Sequence, residues 1–188
     1  MSLIVRDREG KALHEVADGH SLSELDLQRA DLSGQELEGI FLDDSDLRDA
    51  DLSNSDLYWA FAFRANFDGA ILRNTKLAGA SLAEASFCGA DLRGAYVSYD
   101  NLGGSATLEG ADLTGAHLDG ADLAGCKYND STRFPEGFDP LARGMTWVDP
   151  NQIFIRPGSF ASAHLKPGYY LPDPDKPGSY IPVPDKNK

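Results

Sequence analysis

Cysteine is scarce. Cys88 and Cys126 stand 38 residues apart in a chain of 188, with no CxxC partner, so neither a disulfide framework nor a zinc site is indicated. Both read as reduced thiols. Long apolar runs are missing too, and the opening Met1 to Asp7 carries charge where a signal peptide has its apolar segment. A cytoplasmic protein without a membrane partner is the expectation. Bases are few, 17 Lys and Arg against 30 Asp and Glu, and the net charge of −13 argues against direct nucleic-acid binding, which needs a basic surface. The histidines at 14, 20, 117 and 164 are scattered, and no GxSxG elbow, HExxH pair or glycine-rich phosphate loop occurs. No enzymatic activity, cofactor or metal is expected.

What the chain does have is a period of five. From Leu22 an apolar residue, usually Leu, recurs at every fifth place through Leu52, Ala62, Phe67, Leu72, Phe87, Leu92 and Val97 to Leu102, seventeen units in phase. One extra residue in Gly103 to Thr107 shifts the frame, which resumes at Leu108, Leu113, Leu118, Leu123 and Tyr128. A small residue stands two places ahead, as in Ala90-Asp91-Leu92-Arg93-Gly94. Five fits neither a helix of 3.6 nor a strand of 2. A repeat so short marks a solenoid whose coils bury one another's apolar side chains. With positions i−2 and i inward, the three between them face out and glycines at i+2 turn the corners.

The pattern resembles the pentapeptide-repeat family, whose A(D/N)LXX units wind into a β-helix. The resemblance covers roughly residues 20–129. It implies an all-β fold: a right-handed quadrilateral β-helix with four units per coil, and hence a rod of about 26 Å at the usual strand spacing. Columns then run every twenty residues. One is Leu32, Leu52, Leu72, Leu92 and, past the shift, Leu113; another is Leu27, Leu47, Phe67, Phe87, Leu108 and Tyr128.

Residues 1–19 read as a capping hairpin, with Asp7 to Gly10 as its turn. Residues 130–149 form a C-terminal cap, where Asp139 as N-cap, Pro140 at the first helical position and Gly144 as a stop predict one short helical turn. Phe134, Phe138, Leu141, Met145 and Trp147 are expected to cover the core there, and similar FPEGFDP segments close many members of the family. Residues 150–188 form a Pro-rich extended tail in which Arg156-Pro157-Gly158, Lys166-Pro167-Gly168 and Lys176-Pro177-Gly178 recur at ten-residue spacing.

Two surfaces are candidates for contact. The first is aromatic: Tyr58, Trp59, Phe61 and Phe63 should point outward, joined by Phe41, Tyr96 and Tyr99, a patch of the kind that marks a protein partner. The space left by Ala62 could instead draw Phe61 or Phe63 inward, and the tail either covers this patch or recruits a partner. The second is acidic: Asp31, Asp51, Asp91 and Asp112 should stack along one wall, with Ile71 interrupting. Asp at i−1 is also the residue type that bonds nearby backbone amides. Some members of the family bind DNA gyrase by imitating duplex DNA, which the resemblance makes the alternative role. Residues 21–60 carry 11 acids against 2 bases, whereas residues 61–129 carry 8 against 5. The leading expectation is a monomeric scaffold or protein-binding module acting on another protein.

Overall fold

Periodicity becomes geometry through the turn that ends each unit. In the computed structural model, which describes residues 3–16, 21–149, 170–172 and 180–182, the amide of the small residue at i−2 bonds back to the carbonyl three places earlier. Ala30 N reaches Leu27 O at 3.0 Å, and Ala90 N reaches Phe87 O at 3.0 Å. The corner residue at i+2 adopts the left-handed region even where it is not glycine, as at Asp49 (φ 59°) and Trp59 (φ 56°). Parallel bridges then join residues twenty apart, in the line Asp31, Asp51, Ile71, Asp91. Twenty residues per coil and five per turn make four walls. Leu52, Leu72 and Leu92 do pile up, since Leu52 N bonds Ile71 O and Leu72 N bonds Asp91 O. All three are buried.

The expected columns fail beyond residue 98. Ser81 bridges Thr107, Ser86 bridges Asp112, Asp91 bridges His117 and Tyr96 bridges Asp122, each a separation of 26. The insertion is therefore six residues, closed by an antiparallel bridge between Tyr99 and Ser105. Leu102 sits in that loop and is 79% exposed, so it is no core residue. Leu118, not Leu113, follows Leu92, and Leu113 follows Phe87. A six-residue loop and a one-residue slip leave the same phase in a pattern of five.

The core is two kinds of inward column, one large and one small. Phe67 and Phe87 stack on adjacent coils, with ring centroids 4.9 Å apart and planes within 3°. Ala62 stays inward and buried, and Phe61 and Phe63 keep their outward positions without a slip. Where hydroxyls replace the small alanine they are satisfied: Ser55 and Thr75 both donate to Leu52 O, at 2.6 and 2.7 Å. Cys126 is buried and donates to Val97 O, and its burial pushes the thiol pKa up to about 12.

At the N-terminal end, β1 (Leu3–Asp7) and β2 (Ala12–Val16) form an antiparallel hairpin. Its turn is built on Asp7, whose carboxylate accepts from Glu9 N and Lys11 N. β1 also pairs antiparallel with β3 (Ala30–Asp31), placing buried Val5 over the first coil.

The C-terminal end corrects the expected helical cap: no helix occurs among the described residues. Asp139 does accept from Leu141 N and Ala142 N, yet Met145 N already bonds Pro140 O, and one turn is too little to propagate. β4 (Lys127–Tyr128) pairs parallel with β5 (Thr146–Trp147) instead. Phe134, Phe138 and Met145 pack on the core, with Phe134 edge-on to Tyr128 and stacked on Phe138. Leu141 and Trp147 do not cover it: they are 68% and 46% exposed, and the Trp147 indole donates to Asp130.

The chain divides into two units, Met1–Trp147 and Val148–Lys188. In the second, β6 (Tyr170–Pro172) and β7 (Tyr180–Pro182) form an antiparallel pair. Prolines at their ends suit strands that are both sheet edges. The ten-residue Pro-Gly recurrence and Tyr169 lie outside the described residues.

Among the buried side-chain nitrogens and oxygens of the described residues, Glu109 Oε2 alone has no hydrogen-bond partner. Burial raises its pKa above the usual glutamate value, so the native state holds this proton more tightly than the unfolded chain. The penalty is absent at low pH and grows as pH rises through the folded pKa. Glu109→Gln should therefore raise the melting temperature at about pH 7 and leave it unchanged below about pH 4, as a pair of thermal denaturation series would show.

Candidate interaction surface

The outward residues form ladders, and the ladders decide which groups can act together. Asp at i−1 is first a turn residue. The carboxylates of Asp26, Asp31, Asp46, Asp51, Asp56, Asp91, Asp112 and Asp122 each accept from the backbone amide two places on.

Of the four acids expected on one wall, three share it. Asp31, Asp51 and Asp91 lie on the ladder that continues to His117, while Asp112 belongs to the neighbouring ladder of Ser86 and Arg133. The three are unequal in charge. Asp31 bonds Ser33, and Asp51 bonds Ser53 and lies 4.0 Å from Arg8. Asp91 is held by two guanidiniums, Arg93 at 2.7 Å and Arg73 at 2.6 Å, which together keep its carboxyl well below the usual carboxylate range. The Asp112 pKa is lowered chiefly by the Thr114 hydroxyl, then by the Thr114 amide and by Arg133, 3.3 Å away. A continuous acidic stripe does not form.

The seven aromatic residues separate into two groups. Tyr58, Trp59, Tyr96 and Tyr99 build the inserted loop. The Trp59 indole N–H donates to Asp100 Oδ2 at 2.7 Å, and the same carboxylate accepts from Leu102 N and Gly104 N. The Tyr58 hydroxyl donates to Asn101 Oδ1 at 2.9 Å and accepts from Asn101 N at 2.6 Å. Tyr96 donates to Tyr99 O, and the Tyr99 ring lies over Gly125. Glycine is required beneath these rings. A Cβ at Gly79 would stand 2.4 Å from the Trp59 ring, and one at Gly125 2.1 Å from that of Tyr99.

Phe41, Phe61 and Phe63 form the second group, on the next wall. Phe41 bridges Phe61, and their rings stack with centroids 4.9 Å apart and planes within 14°. They are 43% and 45% exposed. Phe63 is half-buried beneath Arg64, whose guanidinium lies 4.6 Å from the ring centroid and makes a two-point ion pair with Asp44 at 2.7 Å. That pairing raises the Arg64 pKa and lowers that of Asp44.

Sequence reasoning missed Asp100 and Asn101 as the anchors of the loop. The turn-rich run Asp100-Asn101-Leu102-Gly103-Gly104 was the available signal, because Asp, Asn and paired Gly mark a loop rather than a wall. Arg64 over Phe63 left no signal in the repeat. Among the described residues, no group of three or more His, Cys, Asp and Glu could hold a metal, and no helix is long and apolar enough to cross a membrane.

Coils of four five-residue walls, joined by parallel bridges and filled by Leu, Phe and Ala, define a parallel β-solenoid. The chain belongs to the pentapeptide-repeat family, and its β-helix is of the right-handed kind: the profile for pentapeptide repeats matches in eight copies, over residues 26–61, 63–98 and 105–127. The gap at 99–104 coincides with the loop. Among solved structures, the chain is similar to the pentapeptide repeat protein alr5209 from Nostoc PCC 7120, with 35% identity over 61% of this chain and 85% of that one, at a TM-score of 0.35. It is similar to HetL, a pentapeptide repeat protein involved in heterocyst differentiation regulation from Nostoc sp. strain PCC 7120, at 23% identity, coverage of 66% and 81%, and a TM-score of 0.25. QnrB1, a plasmid-mediated fluoroquinolone resistance protein, is 19% identical over 70% of this chain and 84% of its own, with a TM-score of 0.31. No curated protein sequence matches the chain.

Proposed function

We propose that this protein is a non-enzymatic interaction module that holds a partner protein against the wall bearing Phe41 and Phe61. The observation that carries the reading is the stacked, half-exposed ring pair, which supports neither a turn nor the loop. Apolar surface left exposed on a rigid scaffold costs solubility unless a contact uses it. Tyr58, Trp59, Tyr96 and Tyr99 are engaged at the loop and Phe63 is covered by Arg64, so these five stand apart from the patch. Affinity capture from host-cell extract should lose its partner with Phe41→Ser plus Phe61→Ser while the melting temperature falls by no more than about 5 °C, the scale of a lost surface ring pair. Identical captured proteins would refute the assignment.

A second reading, modulation of a DNA topoisomerase by imitation of duplex charge, draws support from the first two coils alone. There residues 21–60 carry a net charge of −9, from 11 acids and 2 bases. It predicts inhibition of gyrase supercoiling that weakens with added salt and with Asp31→Lys plus Asp51→Lys. No inhibition at micromolar protein removes it.

A further inference from the structure

The wall bearing the phenylalanines contains one completed example of a contact and one half of another. The Arg64 guanidinium carbon lies 4.6 Å from the Phe63 ring centroid, and its Nε and Nη2 donate to Asp44. Cation, aromatic face and carboxylate thus meet in one arrangement, in which the ring quadrupole and the carboxylate attract the same charge. The rings of Phe41 and Phe61 cover one face of each other, with centroids 4.9 Å apart, and leave the outer face of each open to a cation. Among the described residues, guanidiniums cover only Phe63 and Phe138.

Acid surrounds Phe41 as it does Phe63. The run Glu38-Gly39-Ile40-Phe41-Leu42-Asp43-Asp44 has three carboxylates and no base. Asp43 stands two residues from Phe41 on the same wall, about 6.5 Å along the strand, and Glu38 is exposed across the corner. Asp44 is engaged by Arg64, and Asp43 uses one oxygen on Phe63 N at 2.8 Å; Asp43 Oδ2 and Glu38 feel Arg64 and Lys76 only through space, and neither is ion-paired by them. Two carboxylates beside a flat aromatic pair suit a group that is flat, cationic and rich in edge donors. A guanidinium is all three, whereas an ammonium offers a charge without a face.

We infer that the Phe41 and Phe61 pair docks an arginine-bearing cationic segment of a partner protein, the guanidinium lying on the outer face of the Phe41 ring and its edge reaching Asp43 and Glu38. This rests on the reading that this wall is the contact surface and adds the chemistry of what it contacts. Lys76 on the preceding wall is ion-paired with Asp56 at 2.6 Å and acts on Glu38 only at longer range.

The full chain would be titrated by fluorescence anisotropy with a labelled heptapeptide alternating glycine and arginine, and with analogues carrying lysine or glutamine in place of arginine. The arginine peptide should bind, the lysine peptide several-fold more weakly, and the glutamine peptide at least ~10-fold more weakly, as loss of cation–π and charge contacts requires. Glu38→Gln should weaken the arginine peptide a few-fold, and Phe41→Ser plus Phe61→Ser by ~10-fold, whereas Asp119→Asn on a distant wall should leave it unchanged. Equal binding of the arginine and lysine peptides, or full binding by the phenylalanine double variant, overturns the inference in favour of diffuse attraction to an acidic rod. Absence of binding by any peptide also overturns it. That result is separable from failure of the wall assignment, which is judged by whether the double variant still captures its partner. Because the peptide series uses one unaltered protein, misfolding of a variant cannot mimic the expected result.

Discussion

Phe67→Ala is expected to destabilise the solenoid by about 3–5 kcal/mol, the range for truncating a fully buried phenylalanine. Phe67 has no exposed surface, and its ring lies against Phe87 in a stack of 4.9 Å with near-parallel planes. The same coil already contains Ala62 at an inward large-residue position, so it is the layer least able to lose further volume. In a one-dimensional stack each coil is held only by its neighbours, and a weakened layer divides the rod. Chemical denaturation should show either one transition shifted to lower denaturant or two transitions, and Phe67→Leu should restore most of the loss. A Phe67→Ala protein with unchanged midpoint would mean that the ring does not fill the core.

Trp59→Ala is expected to release the loop at 99–105 while costing the rest of the rod little. Its indole lies over Gly79 and donates to the Asp100 carboxylate, which in turn gathers the amides of Leu102 and Gly104. Removing the indole takes away one side of the loop's support, on the order of 2 kcal/mol from lost burial. Amide exchange at Leu102 and Gly104 should accelerate at least ~10-fold, with exchange at Leu72 and Leu92 unchanged. The Trp59 hydrogen bond, ahead of the backbone amides, holds the Asp100 pKa below its usual value. The clamp is therefore fully present above the ordinary aspartate range and loosens as pH falls through the lowered pKa. Trp59→Phe, which keeps the ring and removes the donor, should move that loosening to higher pH. Equal exchange in all three proteins would show that the loop stands without Trp59.

Leu52, Leu72 and Leu92 were legible because a buried column demands one residue type at one interval, and Ala90 or Ala70 because nothing larger fits at i−2. The role of Asp at i−1 was legible for a local reason, since the bond to the amide two residues on lies within the unit. Asp112 and Leu102 were misplaced for a single reason. Phase records position only modulo five, so six inserted residues look like one, and every assignment past the loop moves by a wall. Tyr58 and Trp59 followed the same error: a surface patch of aromatics and a socket for a loop have the same outward pattern until the loop is placed. Asp139 and Pro140 began a helical turn as their chemistry dictates, but Gly144 stops it before it can propagate.

The assignment of outward residues to walls therefore depends on the size of the insertion, and cross-linking tests it. In a Cys88→Ser background, Asp91→Cys with His117→Cys places two thiols on directly bridged residues, within the Cα separation a disulfide accepts. Asp91→Cys with Asp112→Cys would place them together only if the chain had slipped by one. Mild oxidation should close the first pair and leave the second reduced. A disulfide in the second pair, with none in the first, would contradict the six-residue loop and return Asp112 to the wall of Asp91.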